Sequence, residues 1–454
     1  MNHVSNGELE EAHRCFSRAV SADPHSAALR VNLANTAARL GRIPEAIREY
    51  AAALERDPEN ITALLNLGSV YLDEGKPRSA LPLLRRAHRL APHDDDILKR
   101  NLLAEARAGS AEEIGRSLRA VPAKKCTVTA GIGQELLARG LYEVAATQFS
   151  RERHCNASSL TPLLGEASAL LALGRSEDAI DLLHSRHEQT RANKYARWIL
   201  GSAYERRGRY RESFEQFSAA VDIDPNDARA YVPLGLLGIK AGTPQLSHKV
   251  FQDAIARFPA APEFRLGQAL IAQVTGNARQ AEETCRALIA KNPKYMPAHL
   301  FLSALLLDAN RHREVLAHLE KLLHEDPSNL LALHLRAAAQ FHLTPDPSST
   351  LAGFMTALKG ALDSRPDFAD GHILLARYYR SSNRAEEAER HLALALKAQP
   401  DSWQARFLLA QSHKRQGRED LAREELERSQ QLRRQTNHSQ ALLRQMFYGG
   451  TPIE

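Results

Sequence analysis

A proline recurs every 34 residues through most of this chain, and few folds keep such a metre. Pro24, Pro58 and Pro92 are 34 apart; Pro225, Pro259, Pro293 and Pro327 repeat the spacing, as do Pro366 and Pro400. Periods of roughly 20–50 residues belong to solenoids, propellers and arrays. A turn residue keeps the same phase, 17 residues ahead of each proline: Gly7, Gly41, Gly75, Gly208, Gly242, Gly276, Asn310 and Asn383, with Gly140, Gly174 and Gly417 filling gaps. Glycine and asparagine tolerate the left-handed conformation that ends a helix. Five residues after the turn stands a small residue, among them Ala46, Ala80, Ser213 and Ala281. Four further on stands a bulky one, such as Tyr50, Leu84, Phe217 or Phe251.

Each unit therefore reads as two helices joined by a short turn and closed by a proline turn. Leu67 and Tyr71 are four apart and share a helix face. Ala80, Leu84 and Ala87 form the apolar face of the helix that follows. Pro44, Pro77 and Pro244 fall in the first turn of second helices, where a missing N–H costs nothing. Pro82 falls inside one and predicts a kink. A single such hairpin cannot bury its apolar face alone, so units must stack on one another.

The series Gly68, Tyr71, Ala80, Ala87, Pro92 and its echo Gly201, Tyr204, Phe217, Ala220, Pro225 resemble the tetratricopeptide repeat family. The resemblance runs over nearly the whole chain. It implies an all-α fold: a right-handed superhelical solenoid of stacked helix-turn-helix repeats whose first helices line a concave groove.

Irregularities divide the array. Residues 1–26 read as a partial unit, mainly a second helix from Leu9 to Val20. Two readings of that start stand side by side: a half-repeat cap, or a start placed too late, with a first helix and perhaps a targeting signal lost upstream. Repeats fill residues 27–111, with a degenerate third unit beginning at residue 95. Residues 112–125 read as a register break, with a hinge as one outcome. Repeats resume over 126–436, where Thr344-Pro345-Asp346-Pro347-Ser348-Ser349 forms a loop insertion. Residues 437–454 read as a capping helix and tail.

Composition narrows the functions. The net charge is +6 over 454 residues, aromatics are 6%, and basic residues form no long block. Nucleic-acid binding would call for clustered basic residues with stacking aromatics. No run reaches the ~18 apolar residues of a membrane-spanning helix, and no secretory signal opens the chain. The default location is cytoplasmic, with an exported one open given the uncertain start. Cys15, Cys126, Cys155 and Cys285 form no C-x-x-C pair and read as small buried hydrophobes, not staples. No phosphate loop, nucleophile elbow or H-E-x-x-H occurs, which argues against an enzyme. His184 and His187 could share a helix face, but a pair without a third ligand reads as surface, so neither metal nor cofactor is expected.

The groove is the candidate site. The family resemblance implies that a ligand lies against the first helices. Some members hold a C-terminal carboxylate with five groups; here Asn35, Asn66 and Arg100 match, whereas Val31 and Asp96 stand where lysines are expected. Asp96 would repel a carboxylate, and the asparagines also have a structural reading. In the middle units the groove positions turn apolar: Trp198, Ile199, Val232, Leu266, Leu270, Leu300, Phe301, Leu331 and Phe341. Either they line an exposed stripe for an amphipathic helix or extended peptide, or superhelical winding buries them. Glu205, Arg206, Arg229, Lys240, Arg377 and Arg380 would set polar specificity at the rim. The expected function is a non-enzymatic scaffold or adaptor for a protein or peptide partner. The alternatives are a regulatory or substrate-recruiting subunit of a separate enzyme, and a self-associating structural homo-oligomer.

Overall fold

The computed structural model describes residues 6–122, 125–327, 329–343 and 352–435. Every regular element among them is helical. The predicted hairpins are present with the predicted phase: Ala27–Arg39 pairs with Ile43–Arg56, Ile61–Asp73 with Pro77–Leu90, and Lys194–Arg206 with Tyr210–Ile223. Further along, Pro262–Val274 pairs with Ala278–Lys291, Met296–Asp308 with His312–Glu325, Ala369–Ser381 with Ala385–Ala398, and Trp403–Arg415 with Glu419–Gln435. The insertion at 344–349 and the capping helix at 437–448 lie outside the described residues.

Local chemistry explains where the helices stop. The turn between the two helices of a hairpin needs a left-handed residue, and Gly41 takes φ +74° there. Asn310 and Asn383 do the same job at φ +57°, the only non-glycine residues with positive φ among those described. Gly7 differs from the pattern, lying within the first turn of the helix Asn6–Ala22. First helices are opened by Ser26, Asn60, Asp94, Asn193 and Ser402, whose side chains accept a backbone N–H. The helix Pro77–Leu90 continues through Pro82.

The small and bulky markers prove to be one packing device. The bulky residue of the second helix inserts where two first helices come close. Phe251, 1% exposed, lies against Gly235 and Gly267, and a β-carbon at either glycine would come within 2.5 Å of its ring. Phe149 sits in the same way against Gly133 and Gly165.

The chain forms two compact units, Met1–Asp224 and Pro225–Ile453. Within each, a hairpin packs on the next, and first helices touch the next first helix while second helices scarcely meet each other. Each stack is therefore tighter along its first helices, which places them on its inner, concave side. In the first unit the segment read as a register break carries a helix, Ala111–Ala120, opened by a Ser110–Glu113 capping box. Its Ile114 and Leu118 join Val121, Val128, Ile132 and Phe149 in one core.

The cysteines correct the sequence reading. Cys126 and Cys155 form a disulfide, with Cα atoms 6.3 Å apart. It ties the short helix Cys126–Thr129 to the end of the helix Tyr142–Cys155. Cys285 is buried as expected, whereas Cys15 is exposed. Residues 29 apart in sequence come together because the repeat returns the chain to nearly the same place about every 34 residues, a proximity that C-x-x-C spacing does not test.

Candidate functional site

The inner face of each stack carries the second, fifth, ninth and twelfth residues of the first helices, a spacing of three and four that keeps them on one side. Of the apolar residues read as groove-lining, Ile199, Leu266, Leu270, Leu300 and Phe301 are buried, and Trp198, Val232 and Leu331 are half-buried. The Phe341 side chain lies outside the described residues. The buried ones pack where neighbouring first helices close on each other. Trp198 meets Phe217 edge to face at 6.4 Å, so its inner edge belongs to the core while the rest stays accessible.

Two aromatic residues on this face escape a search for apolar periodicity. Tyr195 is 47% exposed, three residues before Trp198, with the Lys194 ammonium 5.2 Å from its ring. Phe407 is 38% exposed at the fifth position of Trp403–Arg415. Counting helix positions from the cap, rather than seeking runs of hydrophobes, finds both.

The rim charges have specific tasks. The Arg206 guanidinium donates to the Leu171 carbonyl, and Arg229 pairs with Asp227 at 2.8 Å. Glu205 and Lys240 also have interactions within the chain. Arg377 is exposed and Arg380 half-buried. Packed protein withdraws water from the Arg380 guanidinium and lowers its pKa.

At the partial clamp, Asn35 and Asn66 come together. Asn66 donates from Nδ2 to Asn35 Oδ1 at 2.8 Å, and the Tyr50 hydroxyl donates to the same oxygen at 2.5 Å. Burial raises the Tyr50 pKa, so the phenol keeps the proton it donates. Arg100 is exposed, as is Asp96 on the preceding turn. His184 hydrogen-bonds the Tyr204 hydroxyl at 2.8 Å and faces His187. Among the described residues no group of three or more His, Cys, Asp or Glu side chains could hold a metal ion.

A second pattern, invisible as a motif, ties several hairpins to the turn before them. The fourth residue of the first helix donates to the carbonyl six residues earlier: Arg30 to Pro24 at 3.1 Å, Arg265 to Pro259 at 2.6 Å, and Arg406 to Pro400 at 3.0 Å. Arg30 and Arg406 also pair with the seventh residue of the second helix, Glu49 at 2.7 Å and Glu425 at 2.9 Å. In two hairpins histidines fill both places. His299 Nε2 donates to the Pro293 carbonyl at 2.8 Å and its ring stacks on His318; His372 does the same with Pro366, at 3.1 Å, and with His391.

This geometry can be set beside known proteins. A tetratricopeptide repeat profile matches residues 1–61, 31–95, 164–228, 234–295 and 373–436, more than half of the chain. The chain belongs to the tetratricopeptide repeat family. It is 34% identical over 97 residues to sperm-associated antigen 1 of Mus musculus, a stretch that is 21% of this chain and 10% of that protein. It is 24% identical over 255 residues to the protein CTR9 homolog of Arabidopsis thaliana, 53% of this chain and 23% of that one. The chain thus spans a quarter or less of these relatives' length. Yeast Tom70 shares the fold, with a TM-score of 0.51 at 14% identity, over 90% of this chain and 93% of that one. No helix of the described tetratricopeptide repeats is long and apolar enough to cross a membrane.

Proposed function

We propose that this tetratricopeptide protein is a non-enzymatic scaffold that holds segments of partner proteins against the concave faces of its first helices. One observation carries the reading: the inner faces keep accessible aromatic and guanidinium groups, Tyr195 and Trp198 in the first unit and Arg377 and Phe407 in the second. Tyrosine, tryptophan and arginine are the residues that dominate binding energy at protein interfaces. In the first unit Ile199 would lie in the floor beneath a ligand; in the second, Leu266, Leu270, Leu300 and Phe301 would shape that unit's own floor, with Val232 beside them. Asn35 and Asn66, joined by Tyr50, would position backbone-binding amide groups, with Arg100 on the same face.

Replacing Tyr195 and Trp198 together by serine tests the reading. The variant should keep the helical circular dichroism of the parent and lose most of the partners that the parent retains in affinity capture. Unchanged capture, or loss of helicity, would overturn the role given to this face. Sedimentation velocity addresses self-association separately: a monomer at micromolar concentration excludes a structural homo-oligomer as the function.

A further inference from the structure

The inner face of the second unit changes chemistry along its length. The ninth residue of successive first helices is Leu270, then Ala304, then Ala338, and then Arg377. The twelfth is Gln273, then Leu307, and further along Arg380 and Lys414, with Arg415 beside it. At the ninth and twelfth positions positive charge therefore gathers towards the end of this face, while acidic residues stand at the second position in Glu263 and Asp370.

Other arginines of these hairpins are neutralised by carboxylates. Arg384 pairs with Glu387, Arg406 with Glu425 and Arg418 with Glu389. Among the described residues none of Arg377, Arg380 and Arg415 is ion-paired. Arg380 is held in place by one donation, from Nη2 to Gln411 Oε1 on the neighbouring first helix at 2.6 Å. Its Nε–H is buried with no acceptor, a costly state for a charged donor. Arg377 and Arg415 lie near enough to depress the Arg380 pKa, beyond the effect of its burial. Asp370 offsets part of the Arg377 charge but also acts on His334. Arg380 is half-buried, with Arg377 and Arg415 exposed near it; like charges held together repel one another, and an incoming anion relieves that repulsion. Phe407, exposed four residues before Gln411, puts an aromatic surface next to the charge.

We propose that Arg377, Arg380 and Arg415 form an acidic-segment subsite, which takes the Asp or Glu side chains of a partner protein while Phe407 takes an adjacent apolar residue. The subsite rests on the groove-binding reading above and adds its ligand chemistry. Its Arg380 and Arg415 lie at helix positions that the partial clamp at Asn35, Asn66 and Arg100 does not use, whereas Arg377 shares the ninth position with Asn35. Planar guanidinium groups suit carboxylates because both can form paired, parallel hydrogen bonds.

The test uses the full chain and a fluorescein-labelled peptide of alternating leucine and glutamate. Its isostere with glutamine in place of glutamate is the neutral control. Fluorescence anisotropy should show the glutamate peptide binding roughly 10–100-fold more tightly, the range expected for charge-assisted hydrogen bonds. The preference should vanish in the triple variant Arg377→Gln, Arg380→Gln, Arg415→Gln. It should survive Arg211→Gln with Arg279→Gln and Arg384→Gln, which removes as much charge from two second helices and the cap of a third. Circular dichroism checks that each variant folds; should the triple variant unfold, Arg415→Gln alone, at an exposed position, should still weaken the preference. Equal binding of the two peptides, no binding of the glutamate peptide, or a preference that outlives the triple variant would overturn the proposal. So would single-stranded oligothymidylate that competes fully with the peptide, since that marks a general polyanion site. Loss of partner capture on serine substitution of Tyr195 and Trp198 reports on the groove reading alone, so the two can fail separately.

Discussion

At the scale of single residues, the repeat works by matching one large side chain to two absences. Phe251 fits because Gly235 and Gly267 have no side chain to collide with it. Gly235→Ala and Gly267→Ala should each destabilise the protein by ~1–3 kcal/mol, the usual cost of overpacking a core. Gly360→Ala is the control: it lies in a helix with open space around it, and there the change should stabilise by up to ~1 kcal/mol. Urea denaturation of the three variants reads the difference in sign. The histidine pairs yield a pH dependence. His299 and His372 spend their Nε2 protons on proline carbonyls, so each can only accept at Nδ1, from His318 and His391, while its ring is neutral. Burial first, and then the partner histidine, depress His318 and His391 to about 4; Arg286 and Lys321 add to the effect at His318, and Lys359 and Arg390 at His391. A folded-state pKa below the unfolded value means that the unfolded chain takes up the proton first. Their contribution is therefore complete above about pH 6.5 and is lost as the pH falls from there towards 4. Melting temperatures between pH 7.5 and 4.5 should fall more steeply for the parent than for a variant with His318→Gln and His391→Gln; parallel curves would contradict this account.

At the scale of elements, the hairpins were legible because each marker has its own physical cause. The left-handed turn, the small residue at the crossing and the proline-closed turn each leave a mark at a fixed spacing, and all three recur in the structure. The Cys126–Cys155 bond was not legible, because sequence spacing for metal or redox motifs takes no account of a chain that returns to its own neighbourhood. For the candidate site, the phase of Trp198 and Arg377 could be read, but their degree of burial could not. Burial depends on how closely two first helices approach, and that is set by the glycines and alanines facing them. Hence Leu270 and Phe301 were read with Trp198 as one stripe, although the structure buries the first two and leaves the third partly open. The disulfide gives a prediction at this scale. Closing a loop of this size is worth ~2–4 kcal/mol, and its contacts are local. Reduction should lower the stability of the first unit, and hydrogen exchange should quicken chiefly between residues 111 and 155. Uniform quickening along the chain would argue against such a local tie.

At the scale of the whole molecule, stability arises from contacts between neighbours in the stack rather than from one central core. Removing one complete period, residues 262–295, should leave helicity per residue unchanged, because the flanking hairpins present equivalent faces to each other. Removing half a period, 262–278, should not, since it leaves a second helix without its partner; circular dichroism separates the two. The same architecture makes length a measure of binding surface, and this is the central claim: partners engage the faces of the first helices. Site-specific photo-crosslinking in cells tests it most directly. The photoreactive residue p-benzoylphenylalanine would replace Tyr195 or Phe407 on inner faces, and Arg211 or Arg279 on second helices, all four being exposed. Adducts with partner proteins that form from Tyr195 and Phe407 but not from Arg211 and Arg279 are the predicted result. Adducts confined to Arg211 and Arg279 would contradict it.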